Sequence, residues 1–192
     1  MMVEYMKPFT TMLNLQNGNI PDAVLVQKRY LSDLKGLFSD AAAEAALLGE
    51  NPLLYEVHEA TENPIEEGQL RYSTTTIYPG KVGHEYFFTK GHYHAVGSRA
   101  ELYMGLSGEG YLLLMKPDGE VNVQRMTPGA MSYVPPYWAH RTINVGSEPF
   151  VFFACYPADA GYDYETIAGK GFAQIVVEQD GKPALIPNPK WK

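Results

Sequence analysis

Beyond Leu53 the chain is written in short runs of alternating apolar and polar positions, each closed by a turn signal. Residues 54–58 alternate weakly, and residues 70–78 carry Thr74, Thr75 and Thr76 before stopping at Pro79-Gly80. Residues 85–89 lead into a pair of histidines, and runs at 101–105 and 111–115 flank a bend at Gly108-Glu109-Gly110. Pro117-Asp118-Gly119 is a hairpin turn, followed by period-2 alternation over 121–126. Thr127-Pro128-Gly129 turns the chain again, ahead of runs at 130–134, 141–145 and 150–156. A last hairpin is expected from residues 174–178 and 184–186, around Asp180-Gly181. Short strands at such regular spacing predict an all-β antiparallel sandwich or barrel, and a two-sheet jelly roll would give several strands a common inward face.

The first 50 residues break this rhythm. Asn17-Gly18-Asn19 is a turn, residues 23–26 fit a short strand, and residues 26–37 fit either its partner or a helical turn. Residues 41–48 are all Ala, Leu and one Glu, with Ser39 or Asp40 to cap the start and Gly49 just past the end. They are the clearest helix in the chain, expected to pack outside the barrel. The expected organisation is a single domain over 1–192: an N-terminal extension over 1–50, a barrel over about 53–172, and a C-terminal hairpin over 173–192. Gly105-x-x-Gly108-x-Gly110 is not a dinucleotide loop, because no helix pattern follows it.

Composition narrows the function. With 192 residues, 45% hydrophobic and 19% charged, the chain reads as one globular domain able to bury a sizeable core. A net charge of −7 argues against nonspecific binding to nucleic acid or to an anionic membrane. It leaves room for a small anionic substrate, since a metal and local donors can invert the field inside a pocket. Cys155 is the only cysteine, so no intrachain disulfide forms; it sits in the apolar run 150–155 and is expected to be a buried thiol. Glu4 and Lys7 interrupt the N-terminus, and no apolar run approaches the ~20 residues of a membrane span, so a cytoplasmic location is expected.

The chemistry gathers at Gly91-His92-Tyr93-His94, with Glu101 and His140 further on; three of the five histidines fall in this set. Alternation on a strand turns His92 and His94 to one face about 7 Å apart. A His-x-His pair alone more often meets solvent than metal, but Glu101 and His140 complete three imidazoles and one carboxylate, a shell suited to a divalent transition metal. The order His92-x-His94, Glu101, Gly108 and then Gly129, Pro135, His140, Asn144 resembles the paired motifs of the cupin superfamily. Tyr86 and Tyr137 stand where that pattern has glycines, and the gap from His94 to Glu101 is longer than usual.

A closer resemblance covers about residues 74–172. Thr75-Thr76-Ile77-Tyr78-Pro79-Gly80-Lys81-Val82-Gly83, Thr89-Lys90-Gly91-His92-x-His94, Arg99-x-Glu101-x-Tyr103 and Tyr156-Pro157-Ala158-x-Ala160-Gly161-x-Asp163-Tyr164 look like the cupin-type glucose-6-phosphate isomerases of archaea and some bacteria. The resemblance implies a single-domain cupin jelly roll and interconversion of glucose 6-phosphate and fructose 6-phosphate, a step of glycolysis and gluconeogenesis. It implies a divalent metal on His92, His94, Glu101 and His140, most often Fe(2+), with Mn, Ni or Zn as alternatives. Thr75, Thr89, Gly91, Tyr103, Tyr156 and Tyr164 would contact the substrate, and a homodimer is expected. Tyr162 stands where the family often has a histidine.

The reaction moves a hydrogen between C1 and C2. Glu101 is the candidate base, though a ligand carboxylate is less basic than a free one; in a metal-assisted hydride shift it would only hold the metal. Thr75, Thr89 and Gly91 can supply hydroxyl and backbone N–H donors to the phosphate. Two other classes share the ligand set: a metal-dependent cupin dioxygenase and a noncatalytic sugar-binding cupin.

Overall fold

The computed structural model describes residues 6–60 and 63–191. The strands among them begin with β1 (Leu25–Tyr30), β2 (Leu53–Glu59), β3 (Leu70–Ile77), β4 (Lys81–Val82), β5 (Glu85–Tyr86), β6 (Glu101–Ser107) and β7 (Gly110–Met115). They continue with β8 (Val121–Met126), β9 (Met131–Val134), β10 (Ala139–Asn144), β11 (Phe150–Pro157), β12 (Gln174–Gln179) and β13 (Lys182–Pro187).

One antiparallel sheet has the order β1-β2-β3-β11-β6-β9. Facing it, β10-β7-β8 and β13-β12-β5-β4 are linked through the segment after β5, which bridges to β10 at Phe88↔Ile143 and His92↔His140. The result is an all-β cupin jelly roll. The core lies between the walls. Along β11, Phe150, Phe152, Ala154 and Tyr156 point inward, opposite Leu112 and Leu114 of the other wall. Phe150 is fully buried, and a side chain of that size stabilises by roughly 1.5–3 kcal/mol on leaving water. Asn144 ties the two walls together, its amide donating to the carbonyls of Ile77 at 2.8 Å and Glu148 at 2.9 Å.

The helix α1 (Ala41–Leu47) starts as expected, with the Asp40 carboxylate accepting from Ala42 N–H at 3.0 Å and Ala43 N–H at 2.9 Å. The N-terminal region does more than decorate the barrel, because β1 forms the edge of the six-stranded sheet. It begins at Leu25, two residues later than the apolar run from Ala23 indicates, and a 3-10 turn follows at Leu31–Leu34. Cys155 departs from expectation: it is half-buried, because alternation along β11 turns it to the outer face of the sheet. Tyr137, standing in for a glycine, keeps the glycine-like backbone at φ 69° and donates its N–H to Gly97 at 2.7 Å.

Candidate metal centre

Two backbone hydrogen bonds fix the first pair of ligands. His92 N–H donates to the His140 carbonyl at 3.2 Å, and His140 N–H to the His92 carbonyl at 3.0 Å. Gly91 makes this approach possible. Its φ is +75°, and a Cβ there would lie 2.8 Å from the Phe172 ring and 3.0 Å from the His140 carbonyl oxygen. Beneath it, the Arg141 guanidinium lies between the Phe88 and Phe172 rings and donates to the Lys90 carbonyl at 2.7 Å, holding that backbone from inside. Burial pushes Arg141 down to about 10.

His92 and His94 were expected on one strand. The structure gives isolated bridges instead, since residue 92 pairs with His140 while Tyr93 pairs with Asp163. The two imidazoles nevertheless turn to the same side, with ring centroids 5.7 Å apart. The long stretch before Glu101 has a use. Its Arg99 is held by Asp159, Nε to Oδ1 at 3.0 Å, and the Arg99 carbonyl lies 2.8 Å from His94 Nδ1. That carbonyl only accepts, so Nδ1 carries the proton and Nε2 presents its lone pair to the centre.

The centre itself is His94 Nε2, 3.2 Å from Glu101 Oε2, with His140 Nε2 at 3.0 Å from the same oxygen. The His140 contact is off the line of a hydrogen bond, and His92 Nε2 and His140 Nε2 are buried without a hydrogen-bond partner. Ligand atoms from His92, His94, Glu101 and His140 all lie within 4.8 Å of one another. Buried, partnerless imidazole nitrogens converging on a carboxylate are what a divalent transition metal requires. Burial drives the His92 imidazole well below its ordinary value, so it is neutral and ready to bind. Burial pushes His94 down too, but Glu101 and the Arg99 carbonyl outweigh it and raise it. For Glu101 burial pulls upward, yet the nearby His140 and His94 win and hold the carboxyl at about 2.

His92, Glu101 and His140 open onto a cavity of about 330 Å³. Thr75, Thr89, Gly91, Tyr103, Tyr156 and Tyr164, the residues singled out in the sequence for substrate contact, all line this cavity. Thr89 Oγ1 accepts from Thr142 N–H at 3.0 Å and lies 3.1 Å from the Thr142 hydroxyl. Tyr103 stacks on Phe152 with centroids 5.1 Å apart, and burial raises its phenol well above the ordinary value. Tyr164 carries the Lys90 ammonium 4.4 Å over its ring and is pushed up to about 12, chiefly by burial. Tyr162 takes a place in the wall, its ring 4.8 Å from His92.

Several lining residues escaped the sequence reading: Tyr55, Glu59, Arg71 and Thr142. The period-2 pattern of β2 held the signal for Glu59, which follows Tyr55 and Val57 on the inward face; nothing local marked Arg71, on the neighbouring strand β3, or Thr142, on β10, as lining the same cavity.

Comparison with known proteins gives a consistent result. The model of the family described as "Glucose-6-phosphate isomerase (GPI)" matches residues 28–188. A glucose-6-phosphate isomerase of Thermococcus kodakarensis is 53% identical over 190 residues, 99% of this chain and 100% of that protein. One from Pyrococcus furiosus is 50% identical over 98% of this chain and 99% of its own. A protein named putative glucose-6-phosphate isomerase 1 from Rhizobium meliloti is 38% identical over 100% of this chain and 91% of its own. Among solved structures, an oxalate decarboxylase aligns at 23% identity and TM-score 0.45, over 56% of this chain and 26% of that one.

Proposed function

Because the chain belongs to the glucose-6-phosphate isomerase family, aldose–ketose isomerases acting on glucose 6-phosphate and fructose 6-phosphate, we propose that it works with one divalent metal held by His92, His94, Glu101 and His140. The observation that carries this is the convergence of their ligand atoms within 4.8 Å beside a cavity. The ion proposed is Fe(2+), which imidazole-rich sets with one carboxylate suit; Mn, Ni and Zn are the alternatives. When bound, it would polarise the C1 and C2 oxygens and stabilise the negative charge that develops between them.

The chain's own residues supply the rest. Thr75, Thr89 and the backbone at Gly91 hold the phosphate, and Tyr103, Tyr156 and Tyr164 face the sugar hydroxyls. Glu101 takes the C2 hydrogen as a proton and returns it to C1. A second reading has an observation of its own: Glu101 Oε2 lies among the ligand nitrogens, 3.2 Å from His94 Nε2 and 3.0 Å from His140 Nε2. A carboxylate that holds the ion is a weaker base than a free one, which favours a direct hydride shift with Glu101 only as a ligand.

We further propose that the chain acts as one domain, as a homodimer and in the cytoplasm. Exposed Met131 and Tyr133 on the outer face of the six-stranded sheet support the pairing. No helix among the described residues is long and apolar enough to cross a membrane. The metal assignment is tested by metal analysis of a His92→Ala, His140→Ala double variant. The ion should be lost from it, and full occupancy would contradict the assignment.

A further inference from the structure

The barrel holds a second inward carboxylate that the metal centre does not use. Glu59, at the end of β2, is 9% exposed. Its two oxygens accept from the Tyr156 hydroxyl at 3.3 and 3.1 Å, and Arg71 Nε lies 3.4 Å from Oε1. The Tyr156 proton is thereby committed to Glu59, so the Tyr162 hydroxyl, 3.2 Å away, donates to the Tyr156 oxygen. The register of β11 on β6 pairs Cys155 with Leu102, which carries Tyr156 to the level of Glu101. Glu59, Arg71, Tyr156 and Tyr162 all face the same cavity as Glu101.

Aldose–ketose isomerisation moves two hydrogens. One passes from C2 to C1; the other passes from O2 to O1, whichever route the first one takes. We propose that Glu59, acting through Tyr156, carries the oxygen-bound proton. Tyr156 accepts the O2 proton on its remaining lone pair as it passes its own to the Glu59 carboxylate. The reverse transfer delivers a proton to O1, and C2=O forms as C1=O is reduced to C1–OH. Both side chains end as they began, and no external reductant is needed.

Burial lifts Glu59 above the ordinary carboxylate range, against the pull of Arg71 and Tyr156, so it takes up a proton more readily than a free carboxylate does. Glu59 touches substrate only through Tyr156, which makes it a positioning and relay residue. The inference rests on the reading that places C1 and C2 at the His92–Glu101 end of the cavity.

The test is Glu59→Gln, assayed in both directions with metal content measured on the same samples. A positioned proton donor of this kind contributes on the order of 10²-fold. We expect kcat to fall by that factor, with metal content and KM retained. Glu59→Ala should lose as much and recover part of its rate in added formate, which a purely structural carboxylate would not show. If Glu59→Gln does not fold, Tyr156→Phe leaves the Glu59–Arg71 pair in place and should show the same loss of kcat. Wild-type kcat in Glu59→Gln or in Tyr156→Phe, with metal bound, would overturn the relay and leave the metal centre standing. Loss of metal from Glu59→Gln, or no formate rescue, would overturn it as well, making Glu59 a support of the site.

Discussion

His92 and His140 face each other across one antiparallel bridge, with backbone hydrogen bonds of 3.2 and 3.0 Å running in both directions. The two ligand-bearing segments lie some 48 positions apart in sequence, and this bridge sets the spacing of their imidazoles, whose centroids are 4.5 Å apart. The bridge depends on Gly91, so Gly91→Ala should damage the metal centre without touching a ligand. The new Cβ would meet Phe172 at 2.8 Å and the His140 carbonyl at 3.0 Å, at φ +75°. Strain of this kind costs about 1–3 kcal/mol, read as a lower melting temperature. Metal retained on dialysis should fall too. Gly129→Ala is the control: φ is +83° but no atom lies within 4 Å, so it should lose stability and keep its metal.

Thr75 and Thr89 should separate binding from folding. Thr89 Oγ1 accepts the Thr142 N–H, whereas among the described residues no such internal bond ties the Thr75 hydroxyl. Thr75→Val should raise KM about ten- to hundredfold, the loss of a hydrogen bond to a charged group, with an unchanged melting temperature. Thr89→Val should raise KM and also lose about 1–3 kcal/mol of stability, because a buried N–H is left without its acceptor. Equal melting temperatures for the two variants would move the Thr89 hydroxyl out of this network.

The order of the strands was legible because alternation is local: β3, β6, β7, β8, β10 and β11 each announce themselves by period and turn residues. The four metal-site candidates were legible because spacing and residue type sufficed. What escaped depends on partners far away in sequence. Glu59 and Arg71 matter through Tyr156, and Thr142 through Thr89, which no window of sequence displays. The segment at His92 was expected as a strand, but its neighbours pair with two different parts of the chain. Tyr137 shows the converse, where the glycine is gone and the backbone it would favour remains.

Glu101→Gln separates the proton route from the hydride route. The amide oxygen can still coordinate, so excess metal should restore occupancy. If Glu101 is the base, the rate stays down by about 10²- to 10⁴-fold, and wild-type turnover in D₂O places deuterium on carbon. Near-full activity of the metal-saturated variant, with no deuterium in the product, would leave Glu101 as a ligand only.

The same substitution has a pH signature in metal-free protein. Glu101 is held at about 2 in the fold, below its ordinary 4.5. A depressed carboxyl stabilises the fold above its unfolded value and loses that contribution as pH falls towards the folded one, at roughly 1.4 kcal/mol per unit. The stability advantage of the wild type over Glu101→Gln should therefore be full above pH 4.5 and shrink towards about 2. An advantage constant through that window would mean the carboxyl is not held low.

The most direct measurement strips and restores the metal of the wild-type chain. The protein is treated with a chelator, its residual metal is determined, and the interconversion of glucose 6-phosphate and fructose 6-phosphate is followed during titration with Fe(2+). The account predicts negligible activity in the stripped protein and recovery that saturates at one ion per chain. Full isomerase activity in protein free of metal would contradict it.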